Sequence, residues 1–534
     1  MADLELLSLE RRVEALLAPF AAPGTPGCAV GVVRDGALVL HRQAGLASLE
    51  FDLPVGPDTT FRIASVSKQF TCAAILMLAA EGRLAVTDAV QAHLPELPDL
   101  GAPIALDHLM RNSSGLRDML ELMRMGGADL AQPCGTEDLL AAIARQRSLN
   151  FAPGSRFCYC NSGFFLLGLV VERIAGEALG AFLARRVFGP LGMTRTRMAT
   201  RTTEVVPGLA TGYLPQAGDF VRAAHGFPLG GEGGLVSCVE DLAIWAQACE
   251  TGRVIGAALA AALAERRPFH NGALNLYARG LEAGEHRGLG TLNHGGLWPG
   301  YKTCFLRAPE RRLAIVAIAN HGGADPHRLA HQVLDAALEG TLAPAPRLPE
   351  RAALERLAGR WLQPESGTVL EIEIELDPAR EPVGRTHGVP FALAPTADGR
   401  LTARRGSFCF TLRERDGGLE VERDAGIREA WHRAPEPPPL PDGIEGVFAC
   451  AELATRWEVA RGQGGGAVTV RGPHVAAGPW RLEPIAPDLL RLHTPSVLYQ
   501  GWLDIRLRRD PHGGIAALAA SGARAWNLVF DRVA

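Results

Sequence analysis

Ser65 and Lys68 stand three residues apart in "FRIASVSKQF". That spacing puts two side chains on one face of a helix, where a hydroxyl beside an amine makes a nucleophile beside a base. The amine is uncommon in this chain: of 54 basic residues, all but Lys68 and Lys302 are arginine. Arginine keeps its proton in proteins, whereas lysine gives it up when buried or set beside another cation. A lysine kept here points to a base, against the plainer alternative of an unrelated surface serine and lysine. The stretch behind them, "KQFTCAAILMLAAEG", reads as a buried helix ending at Gly82. Ser65 then sits at the first turn, with its N–H at the positive end of the helix dipole.

Such a pair needs groups that hold the lysine and bind a carbonyl oxygen. Two later stretches offer them. "FAPGSRFCYCNSGFFLLGLVVERIAGE" carries Tyr159 and Asn161 on a loop just before an apolar helix at about 162–175. Tyr159 is one of five tyrosines, and its bland reading is a half-buried core aromatic. "GTLNHGGLWPGYKTC" places His294, Gly295 and Gly296 at the start of a strand followed by a hairpin. Glycines there let a substrate backbone come close.

The elements that position these residues form more than one domain, since 534 residues with 47% hydrophobic content exceed a single core. Residues 1–340 mix helix-like and strand-like stretches, beginning with the hairpin "CAVGVVRDGALVLHRQAG" turned at Asp35-Gly36. Helices are expected at 238–250, with Ser237 and Glu240 as a capping box, and at 326–339. "GTLAPAPRLPE" reads as a linker. Beyond it run short alternating strands, divided at "APEPPPLPDG" into segments 351–434 and 444–534. The two segments resemble each other at both ends, as in "LAGRWLQPESG" and "IEGVFACAELA", and read as two copies of a small antiparallel β-barrel.

A net charge of −4 and a pI near 6.4 give no footprint for nucleic acid. No apolar run reaches the ~18 residues that a membrane span needs. The acidic residues of "MADLELLSLERRVEALLAPF" argue for an amphipathic helix rather than a signal peptide. Ten cysteines without metal spacing read as reduced thiols in a cytoplasmic protein.

The ordered set "SVSKQFTC", "SSGLRD", "PGSRFCYCN" and "HGG", followed by two barrel-like segments, resembles the penicillin-recognising serine hydrolases, and among them the D-aminopeptidases, over essentially the whole chain. The resemblance implies an α+β fold: a β-lactamase-like domain with an antiparallel sheet and flanking helices, then two eight-stranded antiparallel barrels. It implies a homodimer, no metal and no cofactor. The resemblance further implies that the substrate would be a small peptide, amide or ester bearing an N-terminal D-amino acid. Ser65 would be acylated, and either Lys68 or Tyr159 would be the base. Asn161 would hold Lys68 or the substrate amide, and His294 would touch the substrate or polarise Tyr159. The N–H groups of Ser65 and of the strand near Gly296 would bind the oxyanion. A loop at 494–500 carrying Tyr499 would narrow the mouth. For the substrate ammonium, Glu282 is the candidate, on a segment from Tyr277 to Ala283 read as a strand; Glu232 in "LGGEGGL" is its rival, and a solvent-facing glutamate the plain alternative. Where β-lactamase relatives carry lysine in the third cluster, this chain has His294, which argues against acids as substrates. A serine esterase of the same fold and a non-catalytic binding protein are the competing readings; a Gly-x-Ser-x-Gly elbow is absent.

Overall fold

The computed structural model describes residues 2–374, 381–405, 408–423, 426–462, 465–473, 475–496 and 501–533. The first part is built on a six-stranded antiparallel sheet. Its strands are β1 (Cys28–Arg34), β2 (Ala37–Ala44), β3 (Glu282–His286), β4 (Leu289–Trp298), β5 (Tyr301–Ala308) and β6 (Leu313–Ala319), in the order β3-β4-β5-β6-β1-β2. The N-terminal hairpin thus completes a sheet begun far along the chain, with Cys28 opposite Ala319.

Helices α1 (Ala2–Leu17), α2 (Lys68–Ala80), α3 (Met119–Met125), α4 (Asn161–Ala175), α5 (Val239–Thr251) and α6 (Pro326–Ala337) flank that sheet or pack in the helical layer beside it. The alternation of a strand divides β6 between two cores. Ile315 and Ala317 join Val13 of α1 and Val333 of α6 on one face. Val316 and Ile318 join Phe70 of α2 and Leu242 of α5 on the other. A strand covered on both faces is apolar throughout, which explains "LAIVAIA". Helix α2 is buried nearly all round and stops as the sequence leads one to expect, Gly82 taking φ +70°.

Three local expectations are corrected. Ser237 and Glu240 do not cap α5: the N-cap is Cys238, without a side-chain cap, Ser237 Oγ bonds Thr196 at 2.8 Å, and Glu240 pairs with His41 at 2.8 Å. Both side chains found partners elsewhere in the fold. Residues 277–281 are not strand, because Gly280 at φ +71° closes a turn in which Ala278 N–H donates to the Leu281 carbonyl at 2.7 Å. The middle barrel has nine strands rather than eight, and it closes incompletely. Strands Val389–Ala392 and Ala394–Pro395 both contain proline, which cannot donate to a ladder, so the chain ends one edge and starts the other there.

The last barrel is closed by eight antiparallel strands, Gly446–Cys450 through Leu528–Arg532. Its core, centred on Trp457 stacked on Phe530, takes in Leu122 and Met125 of α3. Trp457 Nε1 also donates to the Met125 carbonyl at 3.3 Å. Its final hairpin, β7 (Ile515–Ser521) to β8 (Leu528–Arg532), turns against the catalytic part so closely that Gly522 has no room for a Cβ, which would fall on the Glu121 carboxylate.

Candidate active site

Ser65 lies in a 3₁₀ turn, Ala64–Ser67, that runs straight into α2. Ala64 is held at φ +47°, a conformation that costs an L-residue energy and persists only where the surroundings impose it. This bend leaves Ser65 partly accessible while its neighbours are buried. Strand β4 crosses the turn so tightly that a Cβ on Gly296 would lie 2.3 Å from the Ile63 carbonyl oxygen, which is why glycine stands there. His294 to Gly296 therefore sit in the second half of β4 rather than at its start.

The Lys68 amine is wholly buried. It lies 3.0 Å from Ser65 Oγ, 2.9 Å from Asn161 Oδ1 and 2.6 Å from the Glu232 carbonyl oxygen. The carbonyl oxygens of Asn161 and Glu232 only accept, so they take two N–H bonds and leave the third direction, toward Ser65, for a lone pair. Burial lowers the Lys68 pKa to about 7, with Arg524 adding to the effect and Glu232 opposing it. A neutral amine aimed at a hydroxyl is thus available near neutrality.

Tyr159, 5% exposed, lies beside Ser65, and its ring lies 5.0 Å from the Lys68 nitrogen. Burial pushes its pKa well above the ordinary phenol value, which disfavours tyrosinate. The loop that carries it is clamped on both sides by Asn112, whose carbonyl accepts from Cys158 N–H and whose Oδ1 accepts from Cys160 N–H, each at 2.9 Å. Asp118 of "SSGLRD" caps α3 through Oδ1 and accepts the Asn161 N–H through Oδ2 at 2.6 Å. Those two residues carry the lysine's platform.

His294 does not hydrogen-bond Tyr159. Its Nδ1 meets the Gly295 carbonyl at 2.6 Å, so Nδ1 carries the proton, and Nε2 accepts from the Tyr277 hydroxyl at 2.8 Å. Burial, reinforced by Lys68, lowers the His294 pKa to about 3, so the ring is neutral. Its centroid lies 6.1 Å from that of Tyr159. Glu282 begins β3, half-buried opposite Asn293, and its charge acts on both Tyr159 and Tyr277. Glu232 is buried, with Oε1 accepting Gly230 N–H at 2.9 Å. Arg279 is held away from the cleft by Asp107 and Glu265. Tyr499 lies outside the described residues.

Sequence reasoning missed Arg524. It belongs to the β7–β8 turn of the last barrel, and its guanidinium carbon stands 4.8 Å from the Tyr159 ring centroid. Its carbonyl accepts from Asp118 N–H and from Asn150 Nδ2, fixing the turn on the catalytic part. Among the described residues no cluster of His, Cys, Asp and Glu is arranged to hold a metal.

A family model for beta-lactamase matches residues 9–338. A D-aminopeptidase of Cereibacter sphaeroides is 32% identical over 502 residues, 91% of each chain. Among solved structures, the octameric penicillin-binding protein homologue from Pyrococcus abyssi superposes with a TM-score of 0.57 at 22% identity, covering 79% of this chain and 99% of its own. The D-amino acid amidase from Ochrobactrum anthropi SV3 complexed with D-phenylalanine superposes at 0.54 and 23%, covering 61% and 98%. At such identities the solved structures speak for the fold, and the family model and the relative speak for kinship. The chain belongs to the beta-lactamase family of serine hydrolases.

Proposed function

We propose that this protein is a serine aminopeptidase that releases an N-terminal D-amino acid from short peptides or amides. The observation that carries the reading is the buried Lys68 amine, held by two acceptor oxygens with its lone pair toward Ser65. The D-aminopeptidase kinship over 91% of the chain supports the substrate class.

In this reading neutral Lys68 takes the Ser65 proton as Oγ adds to the substrate carbonyl. The oxyanion is met by backbone N–H groups at the Ser65 turn and on β4. Tyr159, still a phenol, donates its proton to the leaving nitrogen as the C–N bond breaks, and is reprotonated from the Lys68 ammonium. Water then attacks the acyl-enzyme with Lys68 again neutral, releasing the amino acid and restoring Ser65. His294 and Tyr277 act as a neutral, rigid wall that orients the Tyr159 side of the cleft. Glu282 supplies the carboxylate for the substrate ammonium, a pairing that a desolvated amine needs; Glu232 is less suited, being buried and engaged by Gly230 N–H.

The test is a rate comparison on D-alanine and L-alanine p-nitroanilides, a chromogenic ester and nitrocefin. Preference for the D-anilide supports the reading. Ester turnover without D-anilide turnover leaves an esterase, and nitrocefin turnover a β-lactamase. Assembly as a homodimer and a cytoplasmic location belong to the same proposal; sedimentation and fractionation test them.

A further inference from the structure

A cavity of about 250 Å³ lies where the catalytic part and the two barrels meet. Arg156 and Cys158 of the catalytic part form one wall, Arg423, Glu429 and Trp431 of the middle barrel a second, and Trp526 of the docked turn a third. Ser65, Lys68, Tyr159 and His294 are not on its walls, so it is a separate space from the cleft. Its charges do not balance. Among the described lining residues Arg156 and Arg423 are cations, and Glu429 is the single acid. That carboxylate is committed: Oε1 accepts from Arg423 Nε at 2.8 Å and Oε2 from Trp431 Nε1 at 3.1 Å. Arg156 comes only within 3.8 Å of it, beyond hydrogen-bonding distance, and lies over the Trp526 ring, 5.7 Å from the centroid. One carboxylate thus serves two guanidinium groups, and a second carboxylate would complete the set.

The excess of positive charge reaches His387, which also lines the cavity: burial, then Arg124, Arg491 and Arg423, lower its pKa to about 3 and keep the ring neutral. Two polar atoms of buried lining residues, Thr386 Oγ1 and His387 Nδ1, have no hydrogen-bond partner among the described residues, the nearest acid to the latter being Asp504 at 3.6 Å. Buried polar atoms left unpaired are costly, so this wall suits a polar occupant. The Trp431 and Trp526 rings, with Phe410, make the remainder apolar. At about 30 Å³ for each water of the liquid, the space holds about eight waters, or one molecule of about ten non-hydrogen atoms.

We propose that this cavity is a second binding site, for a small organic carboxylate with an apolar body, the carboxylate pairing with Arg156 and Arg423 and the body resting on the Trp431 and Trp526 walls. The site is independent of the aminopeptidase reading. Because its walls come from all three parts of the chain, the ligand binds the docked arrangement alone and favours it.

Calorimetry on the full chain tests this with phenylacetate and phenylacetamide, the same body with and without the charge, in the wild type, Arg156→Gln and Arg156→Lys. The wild type should bind the acid about tenfold more tightly than the amide, the glutamine variant should bind both alike, and the lysine variant should fall between. Arg156 has a side chain 33% exposed and donates no hydrogen bond among the described residues, so its replacement should leave the fold intact. A ratio taken within each protein cancels any general loss. Absence of phenylacetate binding up to about 10 mM, equal binding of acid and amide by the wild type, or a preference unchanged in Arg156→Gln overturns the site. The last of these would place the acid elsewhere, the Ser65 cleft included. A second arm uses D-phenylalanine and L-phenylalanine to tell the sources of the carboxylate apart. Binding of either with the same dependence on Arg156 supports the site and makes a free amino acid its occupant, whereas that dependence for phenylacetate alone supports the site with an acid that lacks the amine. Neither arm reads turnover, so failure of the aminopeptidase reading leaves both results standing.

Discussion

Asn161→Asp is the sharpest probe of Lys68 as base. It replaces, almost atom for atom, an amide oxygen 2.9 Å from the lysine nitrogen with a carboxylate oxygen. Two unit charges about 4 Å apart attract by about 4 kcal/mol at an effective dielectric constant of about 20. The amide being replaced already favours the ammonium by about 1 kcal/mol. The remainder, about 3 kcal/mol, raises the Lys68 pKa by about two units. The wild-type value of about 7 then becomes about 9. Because the neutral amine is the active form, kcat/KM in the wild type should rise with pH through about 7 and level off above it. Tyr159 and His294 add no limb between, the one held well above the usual phenol range and the other lowered to about 3. In the aspartate variant the rise should move to about pH 9, leaving activity at pH 7 down about fiftyfold and largely recovered at pH 10. The assay is a pH series on a chromogenic ester without a free amine, because a substrate ammonium titrates near 8 and would add a falling limb of its own, with the ester's spontaneous hydrolysis subtracted. An equal loss at every pH, with the rise still near 7, would refute Lys68 as the group that must be neutral.

Ser65→Ala should abolish turnover, and a slow acylating inhibitor should add its mass to the wild-type peptide holding Ser65; label at Ser67 or Ser162 would exclude that assignment. Lys68→Arg keeps charge but cannot serve as a base, so kcat should fall by at least about 10³ at every pH, and a near-normal rate would reduce Lys68 to a counter-charge. Glu282→Gln should cost about 2 kcal/mol in kcat/KM on free-amine substrates and leave N-acetylated ones and simple esters nearly unchanged. Equal losses on both types would remove Glu282 from the amine site.

The parts of the site that could be read from sequence are those where one short stretch holds both chemistry and context. Ser65 and Lys68 are one helical turn apart, and Asn161 is fixed by the start of α4, so their meeting needs only one long-range approach. The N-terminal hairpin was legible through its Asp35-Gly36 turn, the β-lactamase-like sheet only through the resemblance that the motifs carry, and the last barrel through turn residues and repeat. His294 was placed near the site, but its partner was not seen, because 277–281 carries strand-like alternation and only Gly280 at φ +71° betrays the turn that brings Tyr277 to it. The capping box failed for a related reason: Ser237 and Glu240 have the right types, yet Thr196 and His41 from distant segments claim them. Arg524 left no local signal at all. It sits among 52 arginines, and only the docking of β7–β8 singles it out.

That docking also sets when the enzyme can begin to work. Synthesis runs from the N-terminus, and domains fold as they emerge. The serine, lysine and tyrosine are all present once the first 160 residues are made, and the sheet behind them is complete at Ala319. Yet the Asp118 N–H, the Asn150 side chain and the Arg117 guanidinium all bond the carbonyls of Arg524 or Trp526, which are translated well after that sheet is complete. A nascent chain, or one cut short before residue 522, keeps the nucleophile but leaves the ground under the Tyr159 loop unfinished. The hydrolase is therefore assembled late where it is most reactive, and a cut that removes the β7–β8 turn should silence a site whose acid and base lie hundreds of residues away.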